Sequence, residues 1–98
     1  MKKESKKYVV VRSQSAGCFA GELVSRKGNE VVLNKCRRLW VWYGAASLSQ
    51  LAIDGVSRPA ECKFPAMTEG HLVIGVIEVI PATKSARSSI EGVSVWKA

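Results

Sequence analysis

One stretch of the chain, residues 37–52, joins an aromatic, strand-like run to the start of a helix. Two of the three Trp residues alternate with other side chains up to Gly44, where the chain can turn. The sequence Ser47-Leu48-Ser49-Gln50 then matches the capping-box pattern, in which the first Ser accepts a hydrogen bond from an amide three residues later. This stretch therefore places a strand end beside a helix start, which indicates a mixed α and β fold.

Most of the remaining chain is predicted to form strands. Five segments have β-branched or alternating apolar residues, namely residues 8–11, 18–26, 30–34, 36–43 and 93–97. Lys27-Gly28-Asn29 suits a tight hairpin turn, because Gly and Asn tolerate a positive φ. The run from His71 to Ile80 leaves almost no polar side, which predicts a central strand buried on both faces.

Two short helices complete the prediction. The first runs from Leu48 to Asp54 between Ser47 as N-cap and Gly55 as C-terminal stop. The second covers residues 83–91, with Thr83 as N-cap and Gly92 as stop, while residues 56–70 are predicted to form an ordered loop. The expected fold is α+β: a small twisted antiparallel sheet or barrel of about five or six strands with two short helices.

The length and charge of the chain limit its organisation. A chain of 98 residues has room for one domain, here residues 8–98, and a core so small favours association into a homo-oligomer. Residues 1–7 are predicted to be a flexible basic tail, since four Lys against one Glu supply +3 of the net charge of +7. The remaining excess of positive charge favours an anionic partner.

Several classes of function are poorly supplied with residues. His71 is the single histidine, the three cysteines lack paired spacing, and no glycine-rich phosphate loop or acidic motif is present. We therefore expect no catalytic residues, no metal, no cofactor and no enzymatic activity. Unpaired cysteines in odd number indicate reduced thiols, and no apolar run approaches the roughly 20 residues that span a bilayer, so we expect no membrane partner.

Binding of a nucleotide-type anionic small molecule is better supported. Alternation along the strand places Arg38, Trp40 and Trp42 on one face, where rings can stack on bases and cations can pair with phosphate. The predicted ligand-binding residues are Arg37, Arg38, Trp40, Trp42, Ser47, Ser49 and Gln50. The same residues also fit a simpler interpretation, in which the Trp residues lie in the core or a subunit interface and Ser47 and Gln50 only cap the helix.

The sequence resembles a family of small bacteriophage proteins of unassigned function. The resemblance covers residues 8–98 and rests on R-R-x-W-x-W-x-G-A-x-S-L-x-Q-L-A, the opening Y-V-V-V-R-x-x-S-A-G, Cys62-Lys63-Phe64-Pro65 and the end of the chain from Val93 to Ala98. It implies a phage origin and a location in the cytoplasm of an infected bacterial host, which agrees with reduced thiols.

By analogy of role, this resemblance points to a viral protein of immune evasion. Some phage sponge proteins sequester cyclic nucleotide signals of host defence, usually as oligomers, and that role suits an anti-defence binding protein of this size. Two alternatives remain open. One is a protein that binds single-stranded nucleic acid, and the other is an inhibitor that docks on a host protein through Trp40, Trp42 and Trp96.

Overall fold

The computed structural model describes residues 7–97, so most of the predicted basic tail lies outside the described residues. The strands are Tyr8–Ser13 (β1), Gly17–Lys27 (β2), Glu30–Arg38 (β3), His71–Val73 (β4) and Val76–Pro81 (β5). Two α-helices, Leu48–Asp54 (α1) and Lys84–Gly92 (α2), and a 3₁₀ turn, Pro59–Glu61, lie between or after them. The five strands form an open antiparallel sheet, and with the two helices they confirm the predicted α+β fold.

The order of strands in the sheet is β4-β3-β2-β1-β5, so two strands that follow each other in the chain lie at opposite edges. Residues 74 and 75 connect them, and Gly75 adopts a φ of 73°. The carbonyl of Gly75 accepts from the Gln14 amide at 2.9 Å, while the Val76 amide donates to the Asn29 carbonyl at 2.9 Å. These bonds hold the connection against the β1–β2 turn and the β2–β3 turn. Because only two residues join the two edge strands, the sheet curls so that its edges approach each other.

The prediction of one central strand from His71 to Ile80 is therefore wrong. The run breaks at Gly75, because a residue with this positive φ cannot continue an extended strand. Each half becomes an edge strand, and the side chains of Leu72, Ile74 and Ile77 are exposed. An apolar run shows that a segment favours a strand, but it does not show which neighbours will cover that strand.

The most fully buried strand is β1, which lies between β2 and the edge strand β5. Its alternate side chains point to opposite faces of the sheet, and the two faces are covered by different apolar clusters. Val10 packs beneath the helices with residues such as Leu51 and Phe64, while Val9 and Val11 pack in the second cluster. Both layers of the core therefore meet at β1.

Strand β3 contains a bulge and joins the predicted strand 30–34 to the first part of the predicted strand 36–43. Asn34 pairs with Glu22 but Arg37 pairs with Ala20, so β3 has an extra residue at this point, and Lys35 adopts a φ of 49°. The strand continues past this bulge and ends at Arg38. The predicted strand from Cys36 to Tyr43 is thus cut short, and Val41 forms only an isolated bridge with Lys63.

The predicted last strand, residues 93–97, is also reduced to an isolated bridge. Val95 pairs in parallel with Phe64, and the Trp96 amide donates to the Phe64 carbonyl at 3.0 Å. A single bridge does not make a strand, because neighbouring residues form no further ladder. The C-terminal segment nevertheless lies against residues 63–64, of which Lys63 also forms the bridge with Val41.

The helices follow the sequence prediction closely. The Ser47 hydroxyl accepts from the Gln50 amide at 3.1 Å, and Gly55 adopts a φ of 79° after α1. The Gln50 side chain accepts from the Ala46 amide at 2.9 Å, one residue before the position that a capping box predicts. At α2, the Thr83 hydroxyl accepts from the Ala86 amide at 3.0 Å, which confirms Thr83 as N-cap. The helix includes Gly92, which was predicted to stop it, and Val93 is the C-cap.

Tyr8 provides a test of the core. Its hydroxyl is buried and has no hydrogen-bond partner among residues 7–97, and burial raises its pKa above the usual value of about 10. We expect Tyr8→Phe to raise the free energy of unfolding by up to about 1 kcal/mol, because it removes an unsatisfied buried polar group. Urea titration would measure this change.

The same substitution has a pH signature. The folded state holds the Tyr8 proton more tightly than the unfolded state, so the wild-type protein loses stability as the pH rises above about 10. Tyr8→Phe should lack that part of the loss, whereas Tyr43→Phe, at an exposed position, should retain it. Identical alkaline titrations for the wild type and Tyr8→Phe would contradict this assignment.

Candidate functional site

Arg37 lies inside the protein. Its side chain is 1% exposed, and its guanidinium donates to the carbonyls of Phe64, Pro65, Ile90 and Glu91 at 3.1, 3.0, 2.8 and 3.5 Å. Two of these carbonyls end α2, where a cation is favoured by the helix dipole. Burial lowers the pKa of the guanidinium from its usual value. Its position gives Arg37 a structural role, in which it joins α2 to the loop segment.

Arg38 is half-buried and lies near the first turn of the sheet. Its Nη1 donates to the Ala16 carbonyl at 2.8 Å, and the guanidinium lies 4.6 Å from the ring centroid of Phe19. Phe19 in turn contacts the His71 ring, with centroids 5.2 Å apart. Arg38 is therefore held by intramolecular contacts, although part of its side chain remains accessible.

The two Trp residues of the predicted binding face have different environments. Trp40 is 61% exposed, whereas Trp42 is partly buried and packs against the core cluster beneath the helices. They follow the end of β3, so they lie on irregular chain rather than on a regular strand. The structure thus leaves Trp40 available to a partner and uses Trp42 mainly for packing.

The polar residues predicted at the helix start are used locally. Ser47 and Gln50 make the capping bonds of α1, and Ser49 is exposed. Since α1 has only seven residues, its dipole is small and its amides give little beyond these caps. A cleft lies elsewhere on the protein, and Ser47, Ser49 and Gln50 are not among its lining residues.

That cleft has a volume of about 540 Å³ and lies between the 3₁₀ turn and the C-terminal segment. It is lined by Pro59, Ala60, Cys62, Gly92, Ser94, Val95 and Trp96. None of these seven residues carries a carboxylate, and most of them offer apolar surface. The lining therefore suits a ligand that has a flat apolar part. No negatively charged side chain in the lining repels an anionic ligand.

Two cation and aromatic pairs lie beside the cleft. The Lys63 ammonium is 5.4 Å from the ring centroid of Trp96, and the Arg58 guanidinium is 5.8 Å from that of Tyr43. The Tyr43 amide also donates to the Cys62 sulfur at 3.4 Å, which ties this pair to the lining of the cleft. The cleft and these four side chains are the candidate functional site, called the aromatic cleft below.

A family model described as a domain of unknown function matches residues 6–90 of the chain. The chain belongs to the DUF6948 family. The match covers β1 to most of α2, but it stops before the C-terminal residues that line the aromatic cleft. No curated protein and no solved structure matches the chain.

Among residues 7–97, no three His, Cys, Asp or Glu side chains lie close enough together to hold a metal ion. Within the same range, no helix has the length and apolar character needed to cross a membrane. Burial raises the pKa of the Cys36 thiol to about 11, so this cysteine is a weak nucleophile at neutral pH.

The sequence prediction missed the aromatic cleft as a site. It named Trp96 only as a docking residue for a host protein, and it did not single out Arg58 or Lys63. Lys63 and Trp96 are 33 positions apart, and they meet because Phe64 and Val95 form a bridge. The sequence shows a Lys before a Phe-Pro pair and a Trp 33 positions later. This pattern does not by itself indicate that the Lys and the Trp are in contact.

Proposed function

We propose that this protein is a non-enzymatic phage protein that binds and sequesters a nucleotide signal, cyclic or otherwise phosphorylated, of host antiphage defence. The observation that carries the proposal is the aromatic cleft, because it combines a Trp ring with cations at its border. Its volume of about 540 Å³ lies in the range of about 300–1,000 Å³ that is typical of small-molecule sites. This sequestration would take place in the cytoplasm of the infected bacterium.

In this proposal each part of the aromatic cleft has a role. Trp96 stacks on the base, Pro59 and Val95 pack against its edges, and a cation at the border pairs with phosphate. Association of several copies is part of the proposal, since exposed Ile74 and Ile77 offer apolar surface that a second copy would cover. Light scattering of the purified protein would measure the number of copies.

The direct experiment is to purify the protein from bacteria with an active nucleotide-signalling defence, denature it, and identify any released small molecule by mass spectrometry. We expect a phosphorylated nucleotide in stoichiometric amount. A protein that releases no nucleotide after such an expression would contradict sequestration. A stoichiometric host protein in place of a small molecule would favour the inhibitor hypothesis instead.

A pair of Trp variants tests the position of the site. We expect Trp96→Ala to weaken nucleotide binding by about ten- to a hundredfold, since base stacking contributes about 1–3 kcal/mol per base. Trp40→Ala is the matched control, because Trp40 is exposed but does not line the aromatic cleft. Isothermal titration of the released nucleotide would give both affinities. Loss of binding in Trp40→Ala alone would move the site to the surface that the sequence predicted.

Exposure of Trp40 supports a second candidate, the binding of single-stranded nucleic acid. A Trp that is 61% exposed in a chain with a net charge of +7 could stack on an unpaired base while lysines contact phosphates. Affinity for an oligonucleotide would then fall steeply with salt and with deletion of residues 1–7. A weak response to both changes would favour the aromatic cleft and a small ligand.

A further inference from the structure

The two cations beside the aromatic cleft differ in how they are already engaged. Arg58 is paired with Glu61, with Nη2 to Oε1 at 2.9 Å and Nε to Oε2 at 3.0 Å. This bidentate pair uses the geometry with which a guanidinium would otherwise bind a phosphate. Arg58 would have to give up its carboxylate partner before it could pair with an anionic ligand in the same way.

Lys63 has no such partner. Among residues 7–97, no carboxylate lies within ion-pair distance of its ammonium, which contacts the Trp96 ring instead. An exposed contact between a cation and a ring contributes only about 0.5–1 kcal/mol, so the ammonium can move to a phosphate at little cost. It is the cation beside the cleft that is ready to accept an anion.

The backbone holds Lys63 in place while its side chain stays exposed. The Lys63 amide donates to the Val41 carbonyl at 2.7 Å, and the Val41 amide donates to the Lys63 carbonyl at 3.2 Å. This bridge fixes the point from which the flexible side chain extends. Because the ammonium lies over a ring that lines the cleft, a base in contact with Trp96 would bring its phosphate within reach of Lys63.

We infer that Lys63 is the specificity-determining residue of the aromatic cleft, where it recognises the phosphate and makes the cleft select nucleotides over nucleosides. The inference rests on the proposed function and adds to it the group that reads the phosphate. Trp96 contacts the base in either ligand, so it cannot distinguish them. The ammonium of Lys63 does so, because an uncharged nucleoside gives it no partner.

Adenosine and adenosine 5′-monophosphate are suitable probes, since they share a base and differ in the phosphate. Titrations at pH 8 and constant ionic strength would use isothermal calorimetry. We expect the wild type to bind the nucleotide about tenfold more tightly than the nucleoside, as is typical of a hydrogen bond to a charged group. In Lys63→Met this preference should fall below about twofold, while the affinity for adenosine stays the same.

Two further variants separate phosphate recognition from general charge. Lys63→Arg should retain the preference for the nucleotide, because it keeps a cation at the same position. Lys84→Met removes an exposed lysine at the other end of α2 from the cleft, about 12 Å along the helix from Gly92. It should also retain the preference, and circular dichroism would confirm that each variant is folded.

The possible results separate the role of Lys63 in phosphate recognition from nucleotide binding itself. A full preference for the nucleotide in Lys63→Met, or equal affinities for both probes in the wild type, would overturn the role of Lys63 and leave nucleotide binding in place. A preference lost equally in Lys84→Met would overturn it too, because the effect would then be one of net charge. Absence of binding of either probe to the wild type would overturn both proposals.

Discussion

We expect Arg37→Met to lower the free energy of unfolding by about 3–5 kcal/mol. Met fills much of the same space, but it leaves the carbonyls of Phe64, Pro65, Ile90 and Glu91 without the guanidinium that donates to them. The Phe64 and Ile90 carbonyls keep the Trp96 and Val93 amides as donors, so the loss falls mainly on those of Pro65 and Glu91. Each buried polar group that loses its partner costs about 1–3 kcal/mol. Equilibrium unfolding in urea, followed by Trp fluorescence, would measure the change.

Arg38→Met is the matched control for that experiment, since it removes the same side chain from the adjacent position. Arg38 donates to one carbonyl, that of Ala16, and contacts the ring of Phe19, so we expect a loss of about 1 kcal/mol. A similar loss in both variants would contradict the structural role of Arg37. The comparison also decides whether Arg37 serves the fold, as its burial indicates, or a ligand, as its sequence context predicts.

We expect Gly55→Ala to lower the free energy of unfolding by about 3 kcal/mol or more. Gly55 ends α1 with a φ of 79°, a conformation that a residue with a Cβ rarely adopts. A Cβ at this position would also lie only 2.5 Å from the Ser89 hydroxyl and would meet the Ser89 Cβ. Ser89 bonds to the Val56 amide at 2.9 Å, so it cannot move aside without losing that bond. Thermal or urea unfolding would show the loss.

Gly92→Ala is the control for the glycine substitution. Gly92 is the last residue of α2, and a Cβ there would meet no atom within 4 Å. Because Ala favours a helix by about 1 kcal/mol over Gly, we expect this variant to be as stable as the wild type or slightly more stable. Equal destabilisation by the two substitutions would show that Gly55 is not constrained by its contact with α2.

The predictions that succeeded concern interactions between residues close in the chain. The bounds of α1, its Ser47 cap, the stop at Gly55 and the Thr83 cap of α2 each depend on hydrogen bonds that span four residues or fewer. Hairpins likewise follow from turn residues such as Gly28. These features were predictable because local geometry alone decides them.

The predicted ligand-binding residues have different environments in the structure. An aromatic and cationic surface was expected around Trp40, yet the structure buries Arg37, packs Trp42 on the core and forms the aromatic cleft around Trp96. Alternation along a segment tells which residues share a face only while that segment remains a strand. It failed after Arg38, because β3 ends there.

The sequence by itself determined the two helices, their N-caps and the hairpin turns. The tertiary structure alone decided that β1 is the most buried strand, that Arg37 is buried, and that Lys63 lies over Trp96. Each of these depends on contacts between residues far apart in the chain, such as the 53 positions that separate Arg37 from Ile90. Such contacts arise from the way the sheet curls and the helices pack, and no local pattern of residues specifies them.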